Sequence, residues 1–321
     1  MQNLIRSCAL CLAIIAAPGY AAAVFPDKPV RLIVPFPPGG GTDSLARILN
    51  KKLSEVWGQP VVIDNRGGAQ GNLGTALGAK ARPDGYTVTL VIHGTLAINP
   101  HMYSDTGYNP LKDFAAVTGG TENWYVLVAN SSVPSKTLKE LADLAKSKPG
   151  EVTFATSASG PQLVGELFKL TTGTNLVHVP YKGAGLAVIA LLASDVGTMI
   201  SSPAAIVPHV KSGKVRAIAV FSKERSETLP EVPSALEQGF PEVSNVPEWY
   251  GFAVPAGTPK AVITALNAGF VAALKDPAVQ ASIRVLGMTP APSTPEEFAK
   301  QIRFDYERWG KVVKAAGMKV D

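Results

Sequence analysis

The chain has 321 residues, 46% of them hydrophobic and 17% charged, which is globular composition with length for one large domain or two medium ones. Its formal net charge is +5, and no run of Lys and Arg exceeds Lys51-Lys52. Without a basic stripe or interleaved aromatics, this balance argues against nucleic-acid binding and is only compatible with an anionic ligand.

Residues 1–23 read as a secretory signal peptide. Arg6 is the only charge before Asp27, an apolar stretch follows over 9–17, and Tyr20-Ala21-Ala22-Ala23 offers small residues for cleavage after Ala23. The apolar core is too short for a stable bilayer span. Both cysteines, Cys8 and Cys11, lie in this segment, so its removal leaves no disulfide, no thiolate nucleophile and no cysteine-ligated metal. The expectation is a soluble, exported, periplasmic protein of net charge +4 once Arg6 is gone.

Strand-like and helix-like patterns then alternate. A β-branched run at 30–34 precedes a helical pattern over 44–56, with Leu45, Ile48, Leu49 and Leu53 on one face. A strand at 61–63, a helix over 71–81 and a strand at 86–92 complete a β-α-β-α-β rhythm, which predicts a mainly parallel sheet covered on both faces. The rhythm changes at the apolar segment 123–129. A helix starting near Leu138, capped by Ser135 or Thr137, ends at Pro149-Gly150. A second set of units follows, with helices over 162–172, 184–193 and 204–212 and a strand from Val215. Beyond the turn-rich stretch 222–247, "WYGFAVP" is strand-like again, and three helical segments, 259–275, 277–286 and 295–315, close the chain. The pattern predicts two α/β lobes, 24–124 with 247–321 and 125–246, in which the final helices return to the first. Two connections, near 123–130 and 246–254, then frame a cleft that can close.

In an open parallel α/β sheet, ligands gather where strands hand over to helices. Four such handovers here share Gly, Ser, Thr and Pro: "PFPPGGGTD" (35–43), "HGT" (93–95), "TSASGPQ" (156–162) and "VPYKG" (179–183). Glycines without Cβ let an oxygen-bearing group reach main-chain N–H donors, and a helix starting immediately afterwards adds unpaired N–H groups and a partial positive end. Gly39, Gly40, Gly41 and Thr42 form one candidate anion socket, and 156–160 a second facing it. Tight packing alone also accounts for a lone GGG, and Asp43 reads as an N-cap or internal acceptor.

The chain lacks G-x-G-x-x-G, the phosphate-binding G-x-x-x-x-G-K-[ST], H-E-x-x-H and G-x-S-x-G, so it offers no dinucleotide fingerprint, no zincin pair and no nucleophile elbow. No cofactor is called for. His178 reads as a structural strand residue and Lys182 as a solvated charge or an electrostatic lure. His93, at a strand end facing the cleft, is either a ligand contact or loop packing. Phe36, Trp124, Tyr125, Tyr181, Trp249 and Tyr250 fall at cleft loops or inter-lobe connections, where one or two lining a pocket favour a flat ligand.

Several long stretches, "FPDKPVRLIVPFPPGGGTDSLAR", "GQPVVIDNRGGAQGNLGT", "PDGYTVTLVIHGTLAINPHMY", "SVPSKTLKELADLAKSKPG", "HVPYKGAG" and "WYGFAVPAGTPKAVITALN", resemble the Bug family of TctC-like periplasmic receptors of tripartite tricarboxylate transport systems. The resemblance runs in order along the whole chain after the signal segment. It implies a type II periplasmic-binding-protein fold, two doubly wound α/β lobes joined by two crossover strands, that closes on a carboxylated solute. The pincer it implies places Phe36, Gly40, Gly41 and Thr42 on one side of a carboxylate and Ser157, Ser159, Gly160 and Gln162 on the other. His93, Thr95 and Tyr181 face the distal end, and Ser201 stands where the family often has an acid. His93 where Ser is frequent, the "SASGPQL" loop, and Trp124 with Tyr125 where smaller residues are usual point away from an amino-acid ligand and toward a flat mono- or dicarboxylate. The implied protein is a monomeric, non-enzymatic receptor delivering an organic acid to membrane permease subunits. A ligand-sensing adaptor for a sensor kinase and a periplasmic carboxylate-processing enzyme are the alternatives.

Overall fold

Short apolar runs handing over to amphipathic periodic segments must bury one face of each helix against a sheet. In the computed structural model, which describes residues 25–319, the first such series is β1 (Val30–Val34), α1 (Gly41–Trp57), β2 (Val61–Asn65), α2 (Asn72–Ala79) and β3 (Thr87–Ile92). The expected signal segment, residues 1–23, lies outside the described residues. A π turn over Gly94–Ile98 leads through the short α3 (Asn99–Met102) to β4 (Phe114–Trp124) and β5 (Val126–Ala129). The second series is α4 (Leu138–Ser147), β6 (Thr153–Thr156), α5 (Ser159–Thr172), β7 (Val177–Pro180), α6 (Ala184–Ala193), β8 (Thr198–Ser201), α7 (Pro203–Lys211) and β9 (Arg216–Val220). The chain closes with β10 (Pro247–Pro255), α8 (Lys260–Lys275), α9 (Pro277–Val285), β11 (Thr289–Pro290) and α10 (Pro295–Ala315).

The strands make two sheets, ordered β11-β4-β10-β3-β1-β2 and β7-β6-β8-β5-β9. Strands β1, β2 and β3 pair parallel, as do β6, β7 and β8, which matches the rhythm of the sequence. Both sheets are nevertheless mixed. Strand β10 lies antiparallel between β3 and β4, and β5 lies antiparallel between β8 and β9. These are the strands on which the chain passes from one sheet to the other. Only Tyr125 separates β4 from β5, so one extended segment serves both sheets. The periodicity revealed only the end of that segment, because "AAVTGGTE" has neither an apolar run nor clean alternation.

The last three helices do not all return to the first sheet. Leu266 and Phe270 of α8 and Ile283 of α9 share a core with Leu32 of β1 and Leu45 of α1. Helix α10 instead divides its face. Phe298 and Ile302 pack with Val91 of β3 and Trp249 of β10, whereas Trp309 and Val313 join the core of the second sheet with Leu127 of β5 and Phe154 of β6. A 21-residue amphipathic helix, about 30 Å long, reaches both cores. Among the described residues no single helix is long and apolar enough to cross a membrane.

Phe298 meets Trp249 edge-on, with ring centroids 5.3 Å apart and planes at 85°. Phe298→Ala removes that contact and leaves a cavity between α10 and β10, so urea unfolding should show a loss of about 3–5 kcal/mol.

Candidate ligand-binding cleft

The first N–H groups of a helix have no acceptor within the helix, and a polar N-cap usually supplies one. Three helices here follow that rule. Thr137 accepts from Glu140 N at 3.1 Å on α4, Asp276 accepts from Ala278 N at 3.0 Å and Val279 N at 3.2 Å on α9, and Thr294 with Glu297 closes a capping box on α10. Seven others among the described residues do not, and four of these, α1, α5, α6 and α7, meet at one place. Their N-cap residues, Gly40, Ala158, Gly183 and Ser202, make no side-chain capping bond. These four termini open on one cleft, lined by Gly40, Gly41 and Thr42 of α1, Ser157, Ala158 and Pro161 at α5, Ala184 of α6 and Ser202 before α7. Phe36, Ile92, Ser201, Glu248 and Tyr250 supply the rest of its polar and apolar wall. The cavity at the meeting of these elements measures about 40 Å³, and among the described residues no Lys or Arg lines it.

The loop after β1 is held rigidly. Asp43 Oδ2 accepts from Gly39 N at 3.0 Å and from Arg47 Nε at 2.9 Å, while Asn65 Nδ2 donates to Asp43 Oδ1 at 3.2 Å and to Phe36 O at 3.0 Å. Burial alone would push the Asp43 carboxyl up, but the bonds from Arg47, Gly39 and Asn65 together hold it below its ordinary value. Asp43 is an internal acceptor that fixes the turn.

Two tyrosines on the crossing strands set how close the helix ends come. A Cβ on Gly41 would lie 2.8 Å from Tyr250 Oη and 3.0 Å from Ser202 Oγ, so only glycine lets α1 start there. Gly160 plays the same part for α5, whose first turn lies directly against the Tyr125 hydroxyl. Beside Tyr250 sits Glu248, 5% exposed, with Tyr250 Oη donating to Oε1 at 3.1 Å and Asn123 Nδ2 to Oε2 at 3.5 Å. Burial pushes the Glu248 carboxyl up to about 8, and those two neutral donors offset it only partly. Burial, reinforced by Glu248, also drives the hydroxyls of Tyr125 and Tyr250 up, so both remain protonated.

Of the residues expected at the site, Phe36, Gly40, Gly41, Thr42, Ser157 and Ser201 come together on the cleft wall. The other six lie elsewhere, for identifiable reasons. His93 is fully buried and stacks edge-on to Trp249 and Trp309, at 5.8 and 5.4 Å between centroids. The π turn that follows it carries the ring into the core, so of the two readings open for His93, ligand contact and packing, the structure shows packing. Thr95 turns back to bond Ile92 O at 3.2 Å. Ser159 Oγ is buried beside Gly94 without a hydrogen-bond partner, and Gly160 faces Tyr125. Gln162 accepts from Gln70 Nε2 at 3.2 Å, joining α5 to the loop after β2. Tyr181 packs, half-buried, on the core formed by Val126 and Val188. Glu248 was missed, whereas Tyr250 is one of the aromatics the sequence placed at the cleft loops and connections. Alternation along β10 puts residues 248, 250, 252 and 254 on one face, so a lone Glu entering an apolar strand was the available signal. Among the described residues no group of three or more His, Cys, Asp and Glu is placed to hold a metal ion.

The model of the tripartite tricarboxylate transporter family receptor matches residues 45–318. The chain belongs to that family. The receptor is 38% identical to BugT of Bordetella pertussis over 326 residues, covering 99% of this chain and 100% of that one. A solved R. palustris protein with adipate superposes with a TM-score of 0.88 at 33% identity, covering 92% of this chain and 99% of its own. MatC from Rhodopseudomonas palustris with bound malate gives 0.85 at 32% identity, covering 90% and 100%. The receptor thus has the two-lobed fold of the periplasmic solute-binding proteins.

Two buried groups make the stability of the receptor depend on pH in opposite directions. Glu248 titrates near 8 in the folded chain against an ordinary 4.5. Between those values the native state keeps a proton that the unfolded state releases, so stability falls as pH rises across the window. His93 is pushed down to about 3 from 6.5 by burial and then by Arg308, so stability is lost as pH falls below 6.5. Thermal melts should therefore peak near pH 5–7. Glu248→Gln should flatten the alkaline side of that curve, and His93→Phe the acidic side.

Proposed function

We propose that this receptor captures a small organic acid in the periplasm, exported there by residues 1–23, and presents it to membrane permease subunits. The supporting observation is the convergence of four helix N-termini, none capped by a side chain, on a cleft with no basic residue. Unpaired N–H groups and aligned peptide dipoles favour an anion, and each hydrogen bond to a charged acceptor contributes roughly 1.5–3 kcal/mol. One carboxylate sits between the turns 35–43 and 156–162, held by main-chain donors of Gly40, Gly41 and Thr42 and by Ser157. Phe36 and Ser201 border the remainder of the solute. We assign the lobes to 24–124 with 247–321 and to 125–246, with Gln70 and Gln162 meeting across the cleft. Ser159, Gly160, Thr95, Tyr181 and His93 act behind it, by seating the loops that touch the ligand.

The adipate and malate of the solved relatives favour an aliphatic dicarboxylate, while Phe36 and Tyr250 on the wall suit a flat acid. A thermal-shift screen against mono-, di- and tricarboxylates, aromatic ones included, separates these, because binding to the native state alone raises its melting temperature.

Gly40 offers the direct test of the clamp. Its φ of −96° is open to any residue, and a Cβ there would meet only Ala184 Cβ, at 3.8 Å. Gly40→Leu should keep the circular dichroism spectrum and melting temperature while weakening binding of the best acid from the screen by at least about 100-fold. Unchanged affinity would remove α1 from the site.

A further inference from the structure

We propose that Glu248 serves the cleft as an undissociated acid, giving its carboxyl hydrogen to an anionic oxygen of the solute, so that each captured molecule is held together with a proton. The proposal rests on the carboxylate reading above and adds a donor that is not a helix end. Glu248 lines the cleft where β10 passes beneath the first turn of α1, and it is 5% exposed. A carboxylate this deeply buried takes a cation or several strong donors, and Glu248 has neither. Its two partners are neutral, and the Asn123 amide stands at 3.5 Å, the limit of a hydrogen bond.

The surroundings leave no other source of compensation. From its own strand the titratable neighbour is Tyr250, and from the β4–β5 link it is Tyr125; both hydroxyls stay protonated. Strand β4 contributes the neutral Asn123, and α7 contributes Ser202 through its bond to Tyr250. Arg225 and Arg284, in the separate groove that Asn123 also borders, pair with Glu237 and Glu227. An ionised Glu248 would set a second negative charge beside the anion that four helix ends attract. Two carboxylates sharing one such site cannot both stay charged, and the helix termini stabilise the charge of the solute, so the proton stays with Glu248. Burial pushes its carboxyl up in the same sense.

Isothermal titration of the receptor with adipate, malate and succinate from pH 6 to pH 9, in two buffers of unlike ionisation enthalpy, tests this. The affinity of the acid that binds should be level from pH 6 to 7 and weaken about tenfold by pH 9, one unit above the titration of the free receptor, with proton uptake seen at pH 8–9. Glu248→Gln, whose amide still donates, should bind with an affinity that no longer varies with pH, and Glu248→Ala should bind more weakly throughout. Should neither variant fold, the wild-type slope and proton uptake decide alone. A flat wild-type profile overturns the role of Glu248 and leaves the carboxylate reading standing. Affinity that rises with pH, with proton release, also overturns it, since the bound state would then favour the ionised carboxyl over the protonated one. Binding of none of the three acids at any pH removes the carboxylate reading and this inference with it.

Discussion

Four sets of unpaired backbone N–H groups at one place are the constraint around which the rest of this molecule is arranged. A helix end left without a cap loses about 0.5–2 kcal/mol relative to a capped one, and α4, α9 and α10 show that the sequence places caps readily. Gly40, Ala158 and Gly183 forgo them, and Ser202 bonds elsewhere, to Tyr250. Those amides are left for water or an incoming acceptor. Because the peptide dipoles lie along the helix axes, aligned by the same strands that build the sheets, the positive field is fixed by the backbone and needs no flexible side chain to reach it.

The crossing strands make this arrangement possible. β5 and β10 each run against their neighbours, and two tyrosines reach the junction: Tyr125, in the link before β5, against Gly160, and Tyr250 of β10 against Gly41. The tyrosines fix how deeply α5 and α1 begin, and Asp43 locks the turn before α1 through Gly39, Arg47 and Asn65. Distances between the two sockets are therefore set by packed rings and backbone.

The sequence was most legible where local chemistry decides. The helix over 184–193, the helix over 295–315 and the strand over 30–34 follow from periodicity, capping and β-branching, and the structure places them on those residues. The Gly-rich turn after β1 was legible as a place of close approach, though tight packing and an anion socket both accounted for its glycines, and Gly41 packs against Tyr250. What escaped was tertiary. The long β4 lacks alternation, and its glycines let the 291–293 segment and β10 approach closely, Gly119 facing Ala291 and Gly120 facing Tyr250. His93 sits at a strand end, as expected, but the direction of its ring is set by a π turn and by Trp309, more than two hundred residues away in sequence. Glu248 was hidden in an apolar strand whose inward face could be identified only once its partner strand was known.

Helix α10 has a wider implication. Phe298 belongs to one core and Trp309 to the other, so the carboxy-terminal segment, like Ala97, Ile98 and Met102 after β3, ties the two sheets together. The stretch 125–246, made by itself, would present an open trough where Trp309 and Val313 belong, and solvent would reach Leu127 and Phe154.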